Sequence, residues 1–480
     1  MGGDRVRRLT LPPRRSTRAD VRMCVACLLA VCLVTAAVLD AADSLVWSTD
    51  RGEVDAHIES WPLPRVLEAI SSETGWQIYV EPDAHHTVSV LFKKLKPREA
   101  LDRLLAGYNF ALLPQVSGPA KLFVYRNSVN DATELIHVTG KADHRRSRPI
   151  PTELIVALKH GSEASVDALA RRLGATVVAR LDAAGAYRLR FGDEAAARGA
   201  RAKLEHESDV ASVETNFSIA PPGNLEPLAM SSGPPALPQP DVSPSADRVV
   251  VALIDTAVQP QGTLVKDFLQ PGISLFGDYQ PPADQMTHGT AMAETLLDGV
   301  GRALQERGEA GAKVPVSILP IDIYGGDEST TTFDLARGLY EALNRHANIV
   351  NLSLAGDHDS PLVTDLIREA AARGVLFFAA AGNLPVTSPT YPAADPGVIA
   401  VTAGDARGDI ASYANRGSFV DAMAPGINVV HFDQNAWLGT GTSFSTSWVS
   451  GWAAGFMATA GHSASSTQAE TLQRWRMPTQ

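Results

Sequence analysis

An aspartate, a histidine and a serine stand in this chain order at the ends of apolar stretches. RVVVALIDTAV runs out at Asp255, THGTAMAE opens on His288, and GTGTSFSTSWVSG sets Ser443 ahead of the apolar VSGWAAGFMATA. A carboxylate, an imidazole and a primary alcohol are the parts of a nucleophilic relay. The imidazole takes the alcohol's proton, and the carboxylate orients and stabilises the imidazolium. Asp–His–Ser is one of the chain orders in which that relay recurs. Singly, each motif has a plainer reading: a strand-end turn residue, a structural histidine, a helix N-cap serine. In this order, inside one parallel α/β domain, they point to acyl transfer. VLFFAAAGN adds Asn383 at another strand end. Its side-chain amide and the backbone N–H of Ser443 would give a tetrahedral oxyanion two donors. Seven of the thirteen positions in 439–451 carry a hydroxyl; Ser443 is taken as the nucleophile and the others as helix-start and packing residues.

These residues need a rigid frame. RVVVALI, VPVSILPI, ANIVNLSL and VLFFAAA are nearly continuous apolar runs, and TFDLARGLYEAL and PLVTDLIREAAARG between them have helical character. Strands buried on both faces and alternating with helices predict an α/β domain over 247–462, a parallel sheet covered by helices. Sites in such folds gather at the carboxyl ends of strands.

The stretch resembles the catalytic domain of subtilisin-like serine proteases, the subtilase or S8 family. The likeness is carried by IDTAV, HGT, NLSL, AAAGN, YPAADPGVIAVTA, APG and GTS. It implies that Ser443 attacks the scissile carbonyl, His288 shuttles the proton and Asp255 supports the imidazolium. By the same resemblance, NLSL is a strand edge that pairs with substrate, and Ser353, Leu354, Ala381 and Gly382 border the pocket for the residue before the cut. Calcium is common in the family, but no Asp/Asn-rich loop places a site, so the expectation is no cofactor. The chain departs from the family pattern at Ala257, Ala291, Ala355 and Ser445-Thr446-Ser447-Trp448. If position 257 needs a positive φ, alanine there costs more than about 1 kcal/mol.

Two small α+β units precede this domain. Residues 53–127 combine LPRVLEAIS, with Leu63, Val66, Leu67 and Ile70 on one helix face, and KPREALDRLLAG, with Pro97 in a first turn. Short strand-like runs (WQIYV, TVSVLF, NFALL, KLFVY) flank these helices. The pattern resembles the STN domain of secretins and TonB-dependent receptors, which implies a docked envelope partner. Adjacent His85 and His86 read as solvated loop residues rather than a metal pair. Residues 152–217 read βαββαβ, a ferredoxin-like order, and resemble the inhibitory prodomain of subtilisin-family proteases. Residues 218–246 are a linker: 221–246 hold eight prolines in 26 positions, which favours extended, cleavable backbone. Residues 463–480 read as a short tail without a clear closing helix pair.

The chain of 480 residues has a net charge of −11, which argues against a nucleic-acid surface. Residues 1–42 combine seven arginines with a 17-residue apolar run at 23–39, as an export signal or a membrane anchor does. Cleavage after Ala41 would remove those seven arginines and three aspartates, taking the charge from −11 to −15. Cys24, Cys27 and Cys32 all lie in that run, so the mature chain would carry no thiol. The leading expectation is an exported serine endopeptidase made as a prodomain-inhibited precursor, acting on protein or peptide substrates. The alternative is a catalytically weak or inactive subtilase-like protein that binds peptides in the cell envelope. An esterase is disfavoured because GTSFS is not the G-x-S-x-G elbow.

Overall fold

The computed structural model describes residues 44–48, 51–81, 86–113, 119–126, 134–136, 147–162, 165–220, 224–228, 237–243, 247–327, 329–384, 386–405, 408–411 and 413–477. The leader, its cysteines and His85 lie outside them.

In the first unit, strands β1 (Ser44–Ser48) and β2 (Glu53–Pro62) form an antiparallel pair with Ser44 opposite His57. Helix α1 (Leu63–Thr74), β3 (Gln77–Val80), β4 (Thr87–Leu95) and α2 (Pro97–Leu104) follow. The unit continues through β5 (Asn109–Leu113), β6 (Lys121–Tyr125) and β7 (Glu134–Leu135). One sheet runs β1-β2-β4 and another β5-β6-β3-β7. Leu63, Val66, Leu67 and Ile70 are buried, as the i, i+3, i+4, i+7 spacing predicts. The fold reaches beyond 53–127 at both ends, because Leu45 and Trp47 enter the core and Ile136 packs on it. A five-residue run is too short for its alternation to be read reliably from sequence.

A βαββαβ segment follows: β8 (Arg148–Leu158), α3 (Val166–Leu173), β9 (Thr176–Leu181), β10 (Ala186–Arg190), α4 (Glu194–Leu204) and β11 (Val210–Ile219). Its strands pair antiparallel in the order β11-β8-β10-β9. Ser165 caps α3 through the Ala168 N–H, and Gly174 ends it in the left-handed conformation. β12 (Asn224–Pro227) and β13 (Gln239–Pro240) lie in the stretch read as linker.

The largest sheet has seven strands. β14 (Val249–Asp255), β15 (Ile273–Ser274), β17 (Val316–Asp322), β19 (Ile349–Leu352), β20 (Leu376–Ala380), β21 (Val398–Gly404) and β22 (Ala422–Pro425) lie parallel in the order β15-β17-β14-β19-β20-β21-β22. Strand β16 (Lys313–Val314) pairs with β13 and β18 (Thr330–Thr331) with β11; a hairpin of β23 (Ile427–Phe432) and β24 (Asn435–Thr440) leads to the helix that carries Ser443. Helices α5 (His288–Glu306) and α8 (Thr442–Ala460) share one buried cluster with the sheet. Helices α6 (Thr332–Asn344) and α7 (Pro361–Ala372) share another, to which the preceding segment adds Ile155, Leu181, Ala186 and Ile219. Helices α5 and α8 cross at backbone contact: a Cβ on Gly451 would fall 1.8 Å from the Leu296 carbonyl oxygen.

Residues 463–480, read as a tail, contain helix α9 (Ala464–Arg474). Ser463 caps it, Arg474 donates to Glu306 at 2.7 Å, and the Met423 N–H donates to the Trp475 carbonyl. The Arg474 bond leads the causes that hold the Glu306 carboxyl down to about 2. Its buried positions, Thr467 and Thr471, are hydroxyl-bearing, so no apolar period marks the helix in the sequence.

Candidate active site

Asp255 ends β14, beside Asp322 at the end of β17. Its Oδ1 accepts the backbone N–H of Thr256 at 2.7 Å, which fixes the carboxylate at the strand tip. His288 opens α5, whose N-cap Thr287 accepts the Thr290 N–H. Thr256 Oγ1 accepts from the Gly289 N–H at 2.8 Å, tying the helix start to the aspartate's strand. His288 Nδ1 then lies 2.8 and 2.9 Å from the two Asp255 oxygens. Both side chains are buried, at 1% and 7% exposure. A carboxylate only accepts, so Nδ1 carries a proton, and in the neutral ring the lone pair is then on Nε2. That Nε2 is buried and has no hydrogen-bond partner.

Ser443 sits in the first turn of α8, 2% exposed. Its neighbour Phe444 stands edge-on to the His288 ring, centroids 6.4 Å apart, which brings the serine and histidine segments together. In this state Ser443 Oγ donates to the Ser353 carbonyl at 3.0 Å. Five of the other hydroxyls of the run, those of Thr442, Ser445, Thr446, Ser447 and Ser450, have structural partners. Ser445 donates to Ala424 and Pro425 carbonyls, Thr446 to Thr442, and Ser450 to Asn351 and Thr446. Thr442 Oγ1 accepts the Gly382 N–H.

Asn383 follows β20, and its Oδ1 accepts the Thr442 N–H at 2.9 Å. Anchored by its oxygen, the amide has its Nδ2 left to donate. The Ser443 N–H belongs to the first turn of α8, where no helical carbonyl can reach it. Gly441 makes the approach tight: its φ is +144° and a Cβ there would lie 3.0 Å from Asn383 Nδ2. Asn383 Nδ2 and the Ser443 N–H are thus two donors at the start of α8.

The residues read as pocket borders fare differently. Ser353 is fully buried behind Ser443: its Oγ accepts from Asn351 Nδ2 at 2.9 Å and contacts Ser447 Oγ at 3.1 Å. NLSL is not a free edge over its first two residues, because β19 lies between β14 and β20. Leu354 belongs to the core under α6 and α7, and Ala381 is buried with its carbonyl taken by the Thr390 hydroxyl. Gly382 is buried at φ +104°. Ala257 has no positive φ, so the strain expected there does not arise. Ser447, a departure from the family pattern, fills space between Ser353 and the Met292 sulfur.

Asn351 was missed in the sequence, although an amide inside an apolar, doubly covered strand must find partners. Also missed were the contacts that seat the βαββαβ segment on two helix starts. Asn216 Oδ1 accepts the Phe333 N–H of α6 at 3.2 Å, and Glu214 Oε1 accepts the Leu362 N–H of α7 at 3.3 Å. Arg188 bridges Glu153 and Asp334, at 2.8 and 3.4 Å.

Comparison with known proteins gives a consistent picture. The model of the subtilase family, Peptidase_S8, matches residues 246–480, and that of the fervidolysin N-terminal prodomain matches 138–216. Subtilisin BL of Lederbergia lenta is 31% identical over 213 residues, covering 43% of this chain and 75% of its own length. Thermitase of Thermoactinomyces vulgaris is 30% identical over 223 residues, 46% of this chain and 78% of its own. Among solved structures, the epidermin leader peptide processing serine protease of Staphylococcus aureus aligns at 15% identity with a TM-score of 0.51. That alignment covers 67% of this chain and 91% of that one, a likeness of fold.

Proposed function

The chain belongs to the subtilase family and is a serine endopeptidase; on that premise we propose that Ser443, His288 and Asp255 cut peptide bonds through an acyl-enzyme. Ser443 Oγ leaves the Ser353 carbonyl, turns toward Nε2 and attacks the scissile carbonyl as His288 takes its proton. The imidazolium, held by Asp255, returns that proton to the leaving amine. Water then repeats the sequence on the ester and frees Ser443. The observation that carries the reading is the contact of Nδ1 with both Asp255 oxygens, which leaves the free lone pair on a buried, unpartnered Nε2. A fluorophosphonate probe tests it: the processed protein is labelled at Ser443, and absence of label on material that remains folded overturns it.

Asn383 Nδ2 and the Ser443 N–H are assigned to the oxyanion. Asn383→Ala is expected to lower kcat about 10²–10³-fold with little change in KM, the size such a donor has in subtilisin. Steady-state kinetics that leave kcat unchanged remove Asn383 from this role.

The prodomain is an intramolecular inhibitor, here read as covering α6 and α7. Its Glu214 is buried against α7, and burial leads the causes that push its carboxyl up to about 7. In a released prodomain the carboxyl returns to its ordinary value near 4.5. The docked state therefore binds the extra proton. Docking is tightest below about pH 4.5, weakens as pH rises toward 7 and levels off above it. After processing, activity is expected to emerge on the order of tenfold faster at pH 8 than at pH 5. Glu214→Gln should flatten that difference, and an unchanged pH profile in the variant refutes the assignment.

We also propose export, from the basic and apolar leader, and an envelope partner for the STN-like first unit. Among the described residues no group of three or more His, Cys, Asp or Glu is arranged for a metal ion, and calcium is assigned no site.

A further inference from the structure

Asn383 stands on a turn after β20, and its side chain can serve an oxyanion only if that turn is fixed. Gly382, just before it, takes φ +104°, a left-handed conformation that glycine adopts without strain. The clamp on this turn comes from a segment far along the chain. The Asn415 N–H donates to the Gly382 carbonyl at 2.9 Å, and Asn415 Oδ1 accepts the Leu384 N–H at 2.9 Å. One residue thus holds the peptide groups on both sides of Asn383. The fit is close, since a Cβ on Gly382 would fall 2.6 Å from Asn415 Nδ2. The same track continues with a bond from the Arg416 N–H to the Val386 carbonyl at 3.0 Å. At Gly417 the two segments touch again: a Cβ there would lie 2.6 Å from the Thr387 carbonyl oxygen.

Asn415 is itself held from the sheet. It is 1% exposed, and its carbonyl accepts from the fully buried Thr402 Oγ1 at 2.6 Å. Thr402 belongs to β21, which lies between β20 and β22. A path of hydrogen bonds therefore runs from a doubly paired strand, through Asn415, to both neighbours of Asn383. A buried amide needs partners, and this one gives its oxygen to the turn. Two supports then act on Asn383. The Thr442 N–H orients its amide, and Asn415 sets the backbone from which that amide projects. Such placement matters, because an oxyanion donor works within about 2.7–3.1 Å of the oxygen it serves. A misplacement of about 1 Å can cost about 10²-fold in rate.

We propose that Asn415 is a positioning residue for the oxyanion donor, acting through the Gly382 and Leu384 peptide groups and held in place by Thr402. The inference rests on the peptidase reading and on the donor role given to Asn383. Asn415 acts on Asn383, not on the reacting atoms. Its loss loosens the turn, so Asn383 Nδ2 meets the transition state out of place while the ground-state substrate binds as before.

The test is a double-mutant cycle on the processed enzyme, with Asn415→Ala, Asn383→Ala and the pair. Fluorophosphonate titration counts the active sites, so kcat per labelled site on a peptide amide excludes loss by unfolding. Asn415→Ala should lower kcat about tenfold or more, with KM within about twofold of the parent. In the Asn383→Ala background the same substitution should cost less than about twofold, because the donor it aims is gone. Thr402→Val removes the hydroxyl and keeps the shape; as the independent second variant it should follow the same pattern. Thr402→Ser should recover most of that loss. Equal losses with and without Asn383, a change confined to KM, or an unchanged kcat in both variants overturns the proposal. If Asn383→Ala alone leaves kcat intact, there is no donor to aim and the proposal falls with that assignment. A parent that fluorophosphonate does not label refutes the peptidase reading, and this inference with it. A labelled parent with additive losses refutes this inference alone.

Discussion

Ser443→Ala leaves a folded protein whose kcat is about 10⁶-fold lower, the loss that follows removal of the nucleophile in subtilisin. Ser443 Oγ makes one hydrogen bond, to the Ser353 carbonyl, and that carbonyl also lies at the end of a strand fixed on both sides. Removing one hydroxyl therefore costs about 1 kcal/mol of stability, small beside the roughly 8 kcal/mol of barrier that a 10⁶-fold loss represents. The two effects separate cleanly. Hydrolysis of a peptide substrate measures the first and a melting curve the second. Activity within tenfold of the parent would remove Ser443 as nucleophile, whatever the melting curve shows.

The largest structural effect is expected at Gly451. Helices α5 and α8 touch along their backbones, and a methyl group there would meet the Leu296 carbonyl oxygen at 1.8 Å. The contact is with backbone inside a helix, so no side-chain rotation relieves it. Gly451→Ala must push apart the two helices whose first turns carry His288 and Ser443. Overpacking of this kind costs about 1–3 kcal/mol, and more where backbone is the obstacle. The expected outcome is a fall in Tm of roughly 5–10 °C, with kcat reduced at temperatures where the variant is still folded. Calorimetry of the Ser443→Ala background, free of self-digestion, measures it. An unchanged Tm means the helices can separate without penalty.

How much of this could be read from the sequence depended on the distance over which each constraint acts. The parallel strands announced themselves because β14, β17, β19 and β20 are buried on both faces and written in continuous apolar residues. The candidate site residues could be singled out because they end strands or begin helices, and the structure places Asp255, His288 and Ser443 at those ends. Short or polar elements were not legible: β1 has five residues, and α9 buries threonines. Contacts between distant segments left no local mark either. Nothing near Glu214 or Asn216 reveals that each meets the amide of a helix start more than a hundred residues away. Nor does the composition of 221–246 announce a strand: prolines argued for an open linker, and β12 forms because β24 supplies the missing partner. Tertiary pairing overrode local propensity there.

The two helix starts that the prodomain covers also carry caps of their own. Thr331 accepts the Asp334 N–H at the head of α6, and Ser360 accepts the Val363 N–H at the head of α7. Asn216 and Glu214 serve the neighbouring N–H groups of Phe333 and Leu362, so each helix start keeps a cap of its own without them. A temporary scaffold can be struck once the arch stands, and here the masonry has its own pins at the points where the props bore. A protease processed to release its escort would keep a cap at the first turn of each helix.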